Sequence, residues 1–297
     1  MRVFVTGATG FIGSAIVKEL MYAGHNVLGL ARSDVAAKSL IAAGAKVHRG
    51  DLEDLASLRR GATSADGVIH AGFIHDFARF KDVCDIDERA IEALGSALVG
   101  TEKPLVVTAG VSLLRHDRAA TESDAPPPVS ASYPRGSERA ADALEAMGVR
   151  VSVVRLAPSV HGDGDYGFVP MLIKMAREKG MSAYVGDGMN SWTAVHRFDA
   201  ARLFRLALEN ASAGKRFHGV AEQAIAFRNI AEVIGNRLNI PVFSKSPEEA
   251  ADHFTWFQHF AAMNCAASNQ QTRDLLGWEP REIGLIADID RDSYFKA

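Results

Sequence analysis

The sequence predicts an α/β chain built on a doubly wound parallel sheet, with a smaller α/β region toward the C-terminus. Three observations carry this. Short apolar runs alternate with amphipathic helix-length runs through the first half. Gly7, Gly10 and Gly13 punctuate the first strand-to-helix junction. The second half loses that regular alternation and reads mainly as helices.

The elements follow in order. "RVFV" is a buried strand, and "FIGSAIVKELMYAG" a helix with Ile12, Ile16, Val17 and Leu20 on one face, stopped at Gly24. "NVLGLA" is the second strand, and a helix from about Asp34 leads to the third, "AKVHRG". "GVIHAG" and "PLVVTAG" are the fourth and fifth. A helix over residues 135–147 precedes the sixth, "VRVSVVRLA". Helix-length segments between such strands imply right-handed crossovers and parallel pairing.

Beyond these, "YGFVPMLIKMAREKG", "DAARLFRLALENA", "RNIAEVIGNRLN" and "PEEAADHFTWFQHFAAM" read as helices. "KRFHGVAE" reads as a strand able to return to the sheet, and the prolines of "ESDAPPPVSASYP" mark a loop. The expected division is a core over residues 1–157, joined by a strand near 215–221, interleaved with a region over 158–297.

Composition narrows the function. A net charge of −3 with scattered Lys and Arg gives no basic surface for nucleic acid or acidic lipid. Cys84 and Cys265, the only cysteines, form neither a disulfide framework nor a metal-ligand spacing. No run approaches the ~18 apolar residues of a membrane span. The N-terminus has no signal-peptide pattern. The expectation is a cytoplasmic protein that needs no metal.

The glycine triplet has a specific physical use. One glycine makes the tight turn, one admits a pyrophosphate to the backbone, and one lets helix and strand pack closely. The helix N-terminus adds unpaired N–H groups and partial positive charge. Thr9, Phe11 and Ile12 complete that turn. At the end of the second strand stand Arg32 and Ser33 where an NAD site carries an acid. A guanidinium and a hydroxyl suit a 2′-phosphate, so NADP(H) is expected over NAD(H). Ser33 alternatively caps the next helix. Asp51 with Leu52 flanks the adenine, or Asp51 caps the helix that follows. Ala71, Gly72 and Thr108, at the ends of the fourth and fifth strands, and Pro158 and Val160, after the sixth, complete the expected cofactor set.

"TGATGFIG", "GDLED", "DGVIHAG", "PLVVTAG", "TESDAPPP", "VVRLAPSVHGDGD", "AVHRFDAARLF" and "LLGWEP", in this order over nearly the whole chain, resemble the short-chain dehydrogenase/reductase superfamily. The branch is the extended or atypical, epimerase/dehydratase-like one. The resemblance implies a Rossmann core, a smaller C-terminal substrate region, and NAD(P) chemistry on a carbonyl, alcohol or sugar-like substrate. It also implies a catalytic Tyr, a Lys four residues later, a Ser or Thr after the fifth strand, and often an assisting Asn. By analogy, it implies dimers formed through the helices flanking the fourth and fifth strands.

The chain departs from that set. Tyr133 matches the Tyr, but Ser137 holds the Lys position. An unperturbed phenol, with a pKa of about 10, is a poor base without a neighbouring cation. Pro134 pushes Tyr133 out of the helix, as its expected cap. Arg135 and Arg139 point away from Tyr133 on a regular helix, so an arginine replaces the Lys only if the segment starts non-helical. Ser112 shares a strand face with Thr108 and Gly110, and is either the shifted substrate-orienting hydroxyl or a loop serine. Asp87 stands in place of the Asn, bonding the strand backbone or a water chain, or is an exposed helix acid.

His161, an imidazole competent near neutrality, is the alternative acid or a loop residue bonding backbone. With Asp163 and Asp165 it gives only a weak metal pattern. Asp199 is expected to cap a helix, and Trp192 and Phe168 to wall the substrate pocket or fill the core. The reading that results is an NADP(H)-dependent carbonyl reductase with Tyr133, Ser112 and His161 as catalytic candidates. The alternatives are an epimerase or dehydratase, and an NADP(H)-binding redox sensor with little turnover.

Overall fold

The computed structural model describes residues 1–114, 117–131, 133–210 and 213–296. β1 (Arg2–Thr6) leads through α1 (Phe11–Tyr22) to β2 (Asn26–Ala31). The alternation continues through α2 (Asp34–Ala42), β3 (Lys46–Arg49), α3 (Leu55–Thr63), β4 (Gly67–His70), α4 (Phe80–Ser96), β5 (Pro104–Gly110), α5 (Ser137–Ala146) and β6 (Arg150–Leu156). Val3, Phe4 and Val5 of β1 are fully buried, because helices cover both faces of a parallel sheet. α1 buries Ala15, Ile16, Val17 and Leu20 as one stripe.

The central sheet has seven strands in the order β10-β6-β5-β4-β1-β2-β3, where β10 is Arg216–Gly219. Every pairing in it is parallel. α1, α2 and α7 (Arg197–Glu209) pack on one face through residues such as Ile16, Leu40, Leu203 and Phe204. α3, α4 and α5 cover the other with Leu58, Ile91, Leu94 and Leu144. From β1 the chain proceeds outward to β2 and β3, then crosses to β4 on the other side. That reversal opens a crevice at the C-terminal ends of β1 and β4, where doubly wound sheets bind ligands. This is the Rossmann arrangement expected from the sequence.

After β6 the chain leaves the sheet. β7 (Ser159–His161), β9 (Ser191–His196) and β11 (Glu222–Ala226) form a small mixed sheet, and β8 (Ser182–Val185) pairs with β12 (Val242–Lys245). α6 (Phe168–Lys179), α8 (Phe227–Leu238) and α9 (Pro247–Phe254) surround a second core of Trp192, Phe227, Phe254 and Phe257. Trp192 is fully buried, with its ring 5.8 Å from that of Phe168. Both fill this core. Short helices α10 (Gln258–Ala261), α11 (Gln270–Leu276), α12 (Leu285–Ile289) and α13 (Asp292–Phe295) close the chain. Among the described residues no helix is long and apolar enough to cross a membrane.

Four local expectations are corrected. The helix expected over 135–147 starts at Ser137 with Gly136 as its N-cap, so Tyr133 is not the cap. The long helix expected after Pro247 breaks at Thr255, whose φ is +50°. α7 is capped by His196, whose Nδ1 accepts the Phe198 N–H at 3.3 Å. Asp199 instead binds the C-terminal segment, accepting the N–H groups of Arg281 at 2.9 Å and Glu282 at 3.0 Å. β5 ends at Gly110, and Ser112 lies in the 3₁₀ turn Val111–Leu113, so strand alternation does not position it.

Candidate active site

The three glycines are not equivalent. Gly7 has φ +64°, and a β-carbon there would sit 2.6 Å from the Ala71 carbonyl oxygen and 2.7 Å from Gly72 Cα. It lets the ends of β1 and β4 touch. At Gly13 a β-carbon would fall 1.9 Å from the Gly7 carbonyl oxygen, so this glycine lets the helix sit on the turn. At Gly10 a β-carbon would meet only the Gly7 oxygen at 3.2 Å and Tyr166 Oη at 3.9 Å. It is the least crowded of the three positions.

Gly10 is the N-cap of α1 and offers no side-chain cap. The first-turn N–H groups of Phe11, Ile12 and Gly13 therefore need acceptors from outside the helix. Phe11 N–H donates to Tyr166 Oη at 3.3 Å. Arg197 lies over the Phe11 ring, 4.8 Å from its centroid. Backbone donors, a positive helix end and a space kept free by glycine fit the pyrophosphate of a dinucleotide. Thr9 is exposed beside them.

At the end of β2, Arg32 is exposed and has no hydrogen bond or ion pair among the described residues. Ser33 caps α2, its Oγ accepting Ala36 N–H at 3.2 Å. The neighbouring Asp34 is paired with Arg49, which offsets its charge beside Arg32. Asp51 accepts the N–H groups of Glu53 at 2.8 Å and Asp54 at 2.9 Å. It closes the turn before α3, whose cap is Asp54, so the expected helix-capping role of Asp51 is corrected. Leu52 borders the crevice: a β-carbon on Gly72 would lie 3.2 Å from its Cδ2.

At the other side of the crevice a buried polar chain joins the strand ends. The Thr6 hydroxyl accepts Gly72 N–H at 3.1 Å and lies 2.9 Å from His70 Nδ1. His70 Nε2 is 3.0 Å from Asp87 Oδ1. The other Asp87 oxygen accepts the Ser137 hydroxyl at 2.6 Å. Arg135 Nε donates to Ser137 Oγ at 3.0 Å and Nη2 to the Thr108 carbonyl at 3.4 Å. The Arg135 guanidinium also lies 4.3 Å from the Phe73 ring centroid. Thr108 Oγ1 donates to the His70 carbonyl at 2.7 Å, tying β5 to β4. Burial alone would raise the Asp87 carboxyl, but the His70 hydrogen bond, Arg135 and Ser137 together hold it below the usual carboxylate range.

Tyr133 stands outside α5, bridged to Ser130 by paired backbone hydrogen bonds of 2.8 and 3.0 Å. Its phenol has no hydrogen-bond partner among the described residues. Burial pushes it up to about 12; the Glu138 carboxylate adds to this, while Arg135 and Arg155 oppose it. Ser112 likewise has no partner among the described residues. Arg139 pairs with Glu88 on the surface, away from this cluster.

The family model described as "NAD dependent epimerase/dehydratase family" matches residues 3–220. The chain belongs to that family. Its members are NAD(P)-dependent enzymes of the extended short-chain dehydrogenase/reductase class. It is 48% identical to an uncharacterized protein of Schizosaccharomyces pombe over 298 residues, covering 99% of this chain and 100% of the relative. It is 30% identical over 234 residues to the 2-alkyl-3-oxoalkanoate reductase of Stenotrophomonas maltophilia, 74% of this chain and 69% of the relative. The dTDP-glucose 4,6-dehydratase of Streptomyces venezuelae, solved with NAD bound, shares the fold at TM-score 0.78 and 20% identity, over 99% of this chain and 97% of the other.

Within this family member His161 belongs to another cluster. Its ring is buried, with Nδ1 2.9 Å from Asp288 Oδ2. Tyr294 donates to the same Asp288 oxygen at 3.1 Å and accepts Gly162 N–H at 3.0 Å. Pro158 and Val160, on either side of Ser159, are partly buried at the start of this segment. The loop from Gly162 to Gly167 thus runs from His161 to Tyr166 on the α1 terminus.

Burial pushes Asp165, in this loop, up to about 6, opposed by Gly167 N–H, His161 and Tyr294. An acid raised in the folded state destabilises fully above its folded pKa, and that cost disappears as pH falls below its unfolded value. Asp165→Asn is therefore expected to stabilise by up to about 3 kcal/mol near pH 8, and by little near pH 4. Melting temperatures of both proteins across that range check this; a gap of constant size would refute it.

Sequence reasoning missed His70 and Thr6, although a histidine ending the apolar run "GVIH" was the available sign. It also missed Tyr166 and Arg197 at the helix terminus, which no spacing rule marks.

Proposed function

We propose that this chain is an NADPH-dependent reductase of a carbonyl on a small or medium organic molecule. The observation that carries the reading is the Tyr133 phenol, protonated through the neutral range and uncommitted, beside the Arg135–Ser137–Asp87 cluster. The exposed and unpaired Arg32, with Asp34 offset by Arg49, supports a 2′-phosphate at the end of β2. The relative named as an oxoalkanoate reductase supports a ketone substrate. Two free buried cysteines suit a reducing, cytoplasmic setting.

When bound, NADPH supplies a hydride from C4 of its nicotinamide to the carbonyl carbon. Tyr133 gives its phenolic proton to the carbonyl oxygen and regains one from water. Ser112, close after the end of β5, orients that oxygen.

The test joins binding to turnover. NADPH should bind more tightly than NADH, and Arg32→Glu should weaken NADPH by ~10- to 100-fold while sparing NADH. Tyr133→Phe should lower kcat by ~10²-fold or more, with the wild-type reduction rate flat across neutral pH. Tighter NADH binding would overturn the cofactor assignment. Substrate conversion without net NADPH consumption would point to an epimerase or dehydratase. Tight binding with no oxidation across a broad carbonyl panel would point to a sensor.

A further inference from the structure

The family places a lysine where this chain has Ser137, yet a cation does lie at that position. Helix α5 begins only at Ser137, and Pro134 and Gly136 keep Arg135 out of helical geometry. Arg135 folds forward so that its Nε donates to Ser137 Oγ at 3.0 Å. Phe73 covers one face of the guanidinium at 4.3 Å, the Thr108 carbonyl accepts from Nη2 at 3.4 Å, and Asp87 Oδ2 lies 4.0 Å away. Four groups from four segments therefore define its position. The remaining nitrogen, Nη1, has no partner among the described residues.

We propose that Arg135 is a positioning residue that replaces the missing lysine: its guanidinium holds the nicotinamide ribose through Nη1 and keeps a fixed positive charge beside Tyr133. This rests on the reductase reading above. Ser137 contributes no charge. It is the strut that links the guanidinium to Asp87 and His70. An arginine suits this construction because it keeps its proton in any environment and its planar fork serves several acceptors at once. The fixed charge also opposes the burial that raises the Tyr133 phenol.

Two ligands separate the proposal from a structural role. NADPH contains the nicotinamide ribose, and 2′,5′-ADP does not. Arg135→Gln should weaken NADPH by ~10-fold or more and leave 2′,5′-ADP unchanged. It should lower kcat with Tyr133 still present. Arg135→Lys, or Ser137→Lys added to Arg135→Gln, should restore part of both losses, since each returns a cation to this place.

Equal weakening of both ligands, or NADPH binding and kcat as in wild type, would overturn the proposal. If the wild type instead ignores 2′,5′-ADP and prefers NADH, the NADPH reading fails on its own. NADH and ADP then replace the two ligands and still decide the role of Arg135.

Discussion

Gly13→Ala is expected to lower the melting temperature by on the order of 10 °C, whereas Gly10→Ala is expected to lower it far less and still weaken dinucleotide binding severely. The added methyl at Gly13 would meet the Gly7 carbonyl oxygen at 1.9 Å and its carbon at 2.7 Å. Both are backbone atoms of the turn, so relief requires α1 to lift from β1. Overpacking of that kind costs about 3 kcal/mol or more.

At Gly10 the nearest atom is 3.2 Å away and the next is the hydroxyl of exposed Tyr166 at 3.9 Å. Gly10 also has an ordinary φ of −73°, which alanine adopts freely. The methyl would instead occupy the approach of the pyrophosphate, and a loss of ~100-fold or more in affinity is expected. Thermal melts and dinucleotide titrations of the two variants check this. Parallel behaviour of the pair would show that the glycines serve only the turn.

Arg155→Met is expected to cost about 3–5 kcal/mol, since it leaves a buried carboxylate short of its partner. Arg155 is fully buried and binds Glu138 through two bonds, Nε to Oε1 at 2.8 Å and Nη2 to Oε2 at 2.7 Å. Its Nη2 also donates to the Asp124 carbonyl at 2.8 Å, which anchors the proline-rich loop leading to Tyr133. Arg216 would still reach Glu138 at 2.8 Å, but from a less buried position. Arg139→Met is the control: its pair with Glu88 is surface-exposed on the arginine side and worth at most about 1 kcal/mol. Denaturant unfolding of both variants measures the difference; equal small losses would remove the buried pair from the account.

Much of the Rossmann half was legible because its constraints fall on residue type. Only glycine tolerates Gly7's backbone and Gly13's contact, and the five buried strands β1, β2, β4, β5 and β6 need apolar runs. The second half was less so. Strands such as Ser159–His161 and Ser182–Val185 are too short to show a period, and they pair within small sheets.

In the site, counting along the chain misled twice. Alternation was carried past Gly110 to Ser112, where the strand had already ended. Helical angles were applied to Arg135, though a proline before it and a glycine after it are a recognisable breaker pair. Ser137 marked what was missing from the motif, but only the fold of the preceding residues shows the cation beside it.

The outermost strand, β10, has a consequence for biosynthesis. It pairs with β6 along Val153–Leu156, yet it is made only after the whole excursion that follows Leu156. A nascent chain that has just completed β6 therefore presents a bare flank of backbone donors and acceptors to its surroundings. Ribosome stalling or premature termination before Arg216 would leave that flank open to association with other chains. Polypeptides truncated there should aggregate, even though they contain Gly7, Gly10 and Gly13.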